Sequence, residues 1–210
     1  MKVRPEIEKF SPYSPGLNIK EVQARYGLDQ VVKLASNENP LGASPVVVKK
    51  IQDHAAMAFR YPKSGSPALA EALADKLGVK AANVVAGNGS DEIIDLLIRV
   101  VPRPGQDKIL ISDPSFSMYR IQADLCGVQW VSVPQTRDHW QDLNALAEAA
   151  GQDVRLLFVT NPDNPSGRVF TAREIKDFHA RLPKDCLLVV DEAYVEFTED
   201  EDKYSMVKAA

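Results

Sequence analysis

From residue 82 onward, short apolar runs alternate with amphipathic stretches. The order is NVVAG then DEIIDLLIRVV, KILIS then a helical pattern near Met118 to Leu125, VQWVSVP then LNALAEAA, VRLLFVT then AREIKDFHARL, and LLVVDEAY. The runs VVA, KILIS, LLFVT and LLVV are apolar without a break. A strand covered on one face alternates apolar with polar positions, whereas a strand covered on both does not, so these runs predict a parallel sheet. Helices between consecutive strands cover both faces, which predicts a three-layer α/β fold with a mostly parallel sheet.

Upstream the rhythm differs. Residues 1–45 form polar clusters broken by proline (RPE, SPYSPG, NENPLGASP), which predicts an N-terminal arm ahead of a larger α/β domain over residues 46–210. Within the arm only Ile19 to Tyr26 has a helical pattern. Ser44-Pro45 before VVVKKIQDHAAMAF and Ser66-Pro67 before ALAEALADKLG each place a capping residue ahead of a proline at the first helical position. Gly78 supplies the stop of the second helix.

Composition narrows the function classes. A formal net charge of -4, with 26% charged residues, gives no electrostatic reason to expect a nucleic-acid or anionic-membrane partner. Cys126 and Cys186 lie too far apart for a paired zinc motif and are too few for a disulfide framework, which predicts two reduced thiols. His54, His139 and His179 show no ligand spacing, so no metal is expected. The N-terminus lacks the apolar run of a secretory signal, and no stretch reaches the about eighteen apolar residues of a membrane span. A cytoplasmic location is expected.

Ligands of open α/β sheets bind beyond the carboxyl ends of the strands, so the residues that follow each apolar run are the candidates. In GNGSDE the glycines allow a tight turn that points helix N-terminal N–H groups outward, a fit for phosphate. The alternative is that Ser90 caps the helix while Asp91 and Glu92 complement its dipole. Asp191 ends LLVV, where an ionised carboxylate is costly unless it meets a cation; a helix cap or an internal ion pair would serve equally. Tyr194 follows three residues later, close enough for its hydroxyl to enter the same crevice. In LLFVTNPDNPSG the prolines predict two rigid extended steps around Asn164, whose amide can donate to an anionic oxygen or close an Asx turn. Phosphate cradle, flat Phe116, donor Asn164, phenol Tyr194 and carboxylate Asp191 together suit a phosphorylated, protonated aromatic ring bearing a phenolate oxygen. Pyridoxal 5'-phosphate has that description.

The segments PYSPG, KLASNENPLGASP, RYP, GNGSDEIIDLLIR, DPSFSMY, TNPDNPSG and VVDEAYVEF resemble the fold-type I, class I/II aminotransferases, and within them most closely the histidinol-phosphate aminotransferases. The resemblance implies that backbone groups at Ser90 and Asp91 bind the cofactor phosphate and that Phe116, where the family often has tyrosine, stacks on the pyridine ring. It implies that Asn164 and Tyr194 contact the phenolate oxygen and that Asp191 pairs with the pyridinium nitrogen. Tyr61 of RYP would reach the cofactor phosphate of the partner subunit in a homodimer, and Asn37 and Asn39 would lie near the substrate. The implied substrates are a phosphorylated amino alcohol and 2-oxoglutarate.

Aromatic-amino-acid aminotransferases and threonine-phosphate decarboxylases share this motif set. A non-catalytic cofactor-binding or structural fragment is a reading of a different class. A nucleotide-binding α/β protein is disfavoured because neither GxGxxG nor GxxxxGK[ST] occurs. The resemblance places the Schiff-base lysine, the substrate-carboxylate arginine and the small domain beyond residue 210, and neither Lys203 nor Lys208 matches that lysine's context. The chain alone is therefore expected to be inactive. The resemblance also pairs the strand at 84–86 with a final strand beyond residue 210, so segment 84–90 is expected to be misplaced or mobile while the other four strands sit side by side.

Overall fold

Four of the five apolar runs, KILIS, VQWVSVP, VRLLFVT and LLVV, become parallel strands in the order β2-β1-β3-β4. In this computed structural model they are β1 (Lys108–Asp113), β2 (Gln129–Pro134), β3 (Val154–Thr160) and β4 (Leu187–Asp191). The structure describes residues 2–8 and 17–207, so the PYSPG motif and Lys208 lie outside the described residues. Two units are distinguished: Met1–Pro12 with Gly65–Ala210, and Tyr13–Ser64. The boundary at residue 45 read from composition falls inside the second of these.

The first unit contains α1 (Pro5–Glu8), α4 (Pro67–Leu77), α5 (Ser90–Val100), α6 (Met118–Cys126), α7 (Leu143–Ala149), α8 (Ala172–His179) and α9 (Glu201–Tyr204), together with the sheet. The period of two along each strand divides its apolar residues between the faces. Ile109, Ile111, Leu156 and Phe158 pack with Ile94 and Ile98 of α5 and with Tyr119 and Ala123 of α6. Leu110, Val133, Leu157 and Val159 pack on the other face with Leu146 of α7 and with Ile175 and Phe178 of α8. These are the three layers expected of unbroken apolar strands. Strand β3, in the middle, is buried from Leu156 to Thr160, whereas the edge strand β4 is only half-buried.

The expected strand at 84–86 does not form, and Val85 is 74% exposed. Among the described residues no strand lies beside it, and an extended segment without a neighbour has no ladder to satisfy its N–H and C=O groups. The α5–α6 layer forms nonetheless, because α5 docks through Ile94 and Ile98.

The second unit carries α2 (Ile19–Tyr26), at the expected bounds, and α3 (Pro45–His54). Asn18 caps α2 by accepting from the Lys20 N–H, and Gly27 closes it in the left-handed conformation. The helical pattern running on to Phe59 stops at His54 in a 3-10 turn, and Ser44 makes no side-chain cap bond. No α3 residue is buried, so packing adds nothing to extend the helix.

Candidate active site

Alternation along β4 sends Val189 to the α5–α6 face and Leu188 and Val190 to the other, so Asp191 at the strand end faces the α5–α6 layer. Its register partner on β3 is Thr160, which follows Phe158 on the same face. Tyr119, in the first turn of α6, meets both: its hydroxyl donates to Asp191 Oδ2 at 2.7 Å and lies 2.9 Å from Thr160 Oγ1. The Tyr119 ring is 1% exposed, stacks on Phe158 with centroids 4.5 Å apart, and meets the Phe116 ring edge-on at 5.7 Å. Burial, and then the neighbouring carboxylate, push the phenol well above its ordinary value, so it remains a donor. The other oxygen of Asp191 accepts from the Ala193 N–H at 3.1 Å. Among the described residues no cationic side chain pairs with this half-buried carboxylate, so the ion-pair alternative is not realised, while the Ala193 contact is a local turn bond.

The loop after β3 is stapled by its first and third residues. Asn161, fully buried, donates its amide to the Phe170 and Tyr204 carbonyls at 3.0 and 3.3 Å and accepts from the Phe170 N–H at 2.7 Å. Its own N–H donates to the Asp191 carbonyl at 2.8 Å, which ties this loop to the end of β4. Asp163, 3% exposed, accepts from Ser166 Oγ at 2.5 Å and from Gln135 Nε2 at 3.0 Å. The same Gln135 amide reaches the Pro114 carbonyl at 2.9 Å, which brings the loop after β1 into the cluster. Asn164 is half-buried between these staples, and the turn bonds are made by Asp163 instead of by its amide. The chain bends at Asn161-Pro162 and turns over residues 164–166, which replaces the extended steps read from the sequence; both Asn-Pro peptide bonds are cis.

At GNGSDE, Gly89 occupies the N-cap with φ 78°, and Ser90 is the first helical residue without a side-chain cap bond. The capping alternative for Ser90 therefore fails. The Glu92 carboxylate folds back over the turn to accept from the Asn88 N–H and, at 3.0 Å, from its amide. A Cβ on Gly87 would come within 2.9 Å of Ile93 Cδ1, so the turn closes tightly on its own helix. Ser90 and Asp91 are exposed at the first turn, where backbone N–H groups have no intrahelical partner.

The structure thus joins Phe116, Asp191 and the loop carrying Asn164 into one connected set. It places Ser90 and Asp91 at the start of a helix of the same layer. Tyr194 is half-buried, with its ring 6.3 Å from that of Phe197. Asn37, Asn39 and Tyr61 belong to the second unit: Asn37 has φ 52°, Asn39 accepts from the Leu41 N–H at 3.0 Å, and Tyr61 is fully exposed. Among the described residues no group of His, Cys, Asp and Glu is arranged to hold a metal ion, and no helix is long and apolar enough to cross a membrane.

A model of the aminotransferase class I and II family matches residues 29–209. The chain belongs to that family. Among curated aminotransferases, the histidinol-phosphate aminotransferase of Oleidesulfovibrio alaskensis is 52% identical over 205 residues, which is 98% of this chain and 54% of that protein. That of Moorella thermoacetica is 43% identical over 196 residues, covering 93% of this chain and 50% of the relative. The chain spans about half the length of the curated relatives it matches. Among solved structures, histidinol-phosphate aminotransferase from Sinorhizobium meliloti, in complex with pyridoxal-5'-phosphate, superposes with a TM-score of 0.85 at 28% identity, covering 97% of this chain and 54% of that one. Thermus thermophilus aspartate aminotransferase, at 23% identity and a TM-score of 0.83 over all of this chain and 58% of that one, shares the fold.

Sequence reasoning overlooked Tyr119, Thr160, Asn161, Gln135 and Glu192. Glu192 accepts from Ser205 Oγ at 2.7 Å and from the Met206 N–H at 2.5 Å, anchoring the segment after α9, and burial raises its carboxyl above the ordinary range. A signal existed for Tyr119, which shares a helical face with Ala123: a phenol on a buried face needs a hydroxyl partner. Gln135 has no comparable signal, because its partners come from loops after other strands.

The described molecule also has a cavity of about 380 Å³ lined by Trp140, Gln141, Phe170, Phe178 and Arg181. It lies on the α7–α8 side, across the sheet from Asp191.

Proposed function

We propose that this chain provides the cofactor-holding part of a pyridoxal 5'-phosphate-dependent aminotransferase. The reaction transfers the amino group of histidinol phosphate to 2-oxoglutarate, giving imidazole acetol phosphate and glutamate. The observation that carries the reading is Asp191: a half-buried carboxylate fixed by two neutral donors, with no cation beside it among the described residues. Such a group favours an incoming cation, and a protonated pyridine nitrogen supplies one. The names of the relatives support the substrate.

When bound, the cofactor supplies an electron sink for the substrate carbanion. Asp191 holds the proton on the ring nitrogen. Asn164, whose amide is not used by its own loop, and Tyr194 donate to the phenolate oxygen, and Phe116 offers a flat face to the ring. N–H groups at Ser90 and Asp91 hold the phosphate at the start of α5, where the helix dipole favours an anion. Asn37 and Asn39 serve the substrate side, and Tyr61 reaches the phosphate held by the partner subunit of a homodimer. Residues 1–45 act as an arm and 46–210 as part of the cofactor-binding domain. No lysine of this chain is assigned the Schiff-base role, and the protein works in the cytoplasm.

Equilibrium binding of pyridoxal 5'-phosphate to the complete protein tests the site. Asp191→Asn is expected to weaken binding by about tenfold or more, the size of a charge-assisted hydrogen bond. An unchanged affinity overturns the cofactor assignment. Turnover of histidinol phosphate, aromatic amino acids and threonine phosphate tests the substrate. The highest kcat/KM is expected for histidinol phosphate, and a preference for either rival overturns that part alone.

A further inference from the structure

A side-chain carboxyl turns easily about its last bond, because that torsion is broad and two-fold. For Asp191 to offer one orientation, both oxygens must be held. One is held by the Ala193 N–H and the other by the hydroxyl of Tyr119, which comes from a different element. Phenylalanine would fill the same space against Phe158, so the hydroxyl is the part of Tyr119 that packing does not explain.

That hydroxyl is itself fixed. Thr160 Oγ1 lies 2.9 Å away and can donate to it while it donates to Asp191, giving a chain of bonds that run in one direction and strengthen one another. The Thr160 backbone is clamped by buried Gln141, whose amide donates to the Thr160 carbonyl at 2.6 Å and whose oxygen accepts the Thr160 N–H at 3.3 Å. The β3–β4 register then puts Thr160 beside Asp191. The Tyr119 ring also meets Phe116 edge-on at 85°.

We infer that Tyr119 is a positioning residue: its hydroxyl, oriented by Thr160, locks the Asp191 carboxylate toward the ring nitrogen of a bound pyridine cofactor, while its ring supports Phe116. This rests on the proposed function. The phenol touches neither cofactor nor substrate and acts through Asp191.

The test compares two probes on the complete protein: pyridoxal 5'-phosphate, and its analogue in which carbon replaces the ring nitrogen. The parent is expected to prefer the nitrogen-bearing probe by about tenfold or more. Tyr119→Phe keeps the ring packing and is expected to reduce that preference by about threefold or more, the share of one hydrogen bond. A preference that is unchanged or larger in Tyr119→Phe, even with both affinities lowered equally, overturns the positioning role and leaves the cofactor site standing. A parent that binds both probes alike overturns the reading of Asp191 and this inference with it. Should Tyr119→Phe unfold, Thr160→Val removes the bond that orients the phenol, and its effect on the preference must have the same sign.

Discussion

Asn161 and Asn164 are the same residue type, three positions apart and each followed by proline, yet the fold gives them different roles. Asn161 spends its amide and its oxygen on Phe170 and Tyr204 in a fully buried setting. Asn161→Ala is expected to lower unfolding stability by about 2–4 kcal/mol, since it strands buried backbone partners, and chemical denaturation measures this. Asn164→Ala is expected to stay within about 0.5 kcal/mol of the parent in the same experiment while weakening the cofactor. The sequence singled out Asn164 for its chemistry but could not tell which of the two was structural, because that depends on what folds over the loop. Asp107 is a second case. It is buried and accepts from Arg103 Nε at 2.8 Å, from the Arg103 N–H at 2.8 Å and from Arg155 Nε at 3.4 Å. These bonds, the Arg103 side chain foremost, hold its carboxyl far below the ordinary range. A carboxyl depressed by folding stabilises the protein above its unfolded value of about 3.9, and that contribution is lost as the pH falls below it. Asp107→Asn is expected to flatten the acid limb of the stability curve, as read by thermal melting from pH 6 downward to about pH 2.

Helix starts were legible where proline marks them: α3 and α4 begin at Pro45 and Pro67 as read. Neither Ser44 nor Ser66 makes the side-chain cap bond expected of it, however, and the cap of α8 went unread. Thr171 and Glu174 form a reciprocal capping box at the start of α8, with the Thr171 N–H donating to Glu174 Oε2 at 2.7 Å. Thr171→Ala is expected to cost about 1 kcal/mol in chemical denaturation. At α5 the visible serine misled the capping alternative, because Gly89 takes the N-cap with a positive φ that leaves Ser90 inside the helix. A side chain at Gly89 would be strained there even though the space is open, so Gly89→Ala is expected to cost about 1 kcal/mol or more and to disturb the turn. Length was less legible: α3 stops short of its apolar pattern because periodicity reports which face could be buried, not whether a partner buries it.

At the scale of the molecule, strand pairing among the described residues decides where order concentrates. Segment 84–87 has no ladder, while Leu156 to Thr160 is flanked by β1 and β4 and buried. Hydrogen exchange on this chain is expected to be at least about a hundredfold faster at 84–90 than at 156–160, and equal protection would contradict the account. The sequence by itself determined the layer order, the parallel strands and the strand ends that carry polar residues. Those follow from the period of apolar burial and the turn chemistry of proline and glycine, which act between near neighbours. It also determined the family, because several motifs recur together. Only the tertiary structure decided that Tyr119 and Thr160 hold Asp191, that Asn161 ties the end of β3 to β4, and that Gln135 joins the loops after β1, β2 and β3. Each of those bonds links residues distant along the chain, and their partners are chosen by strand register and helix docking, which no local pattern encodes.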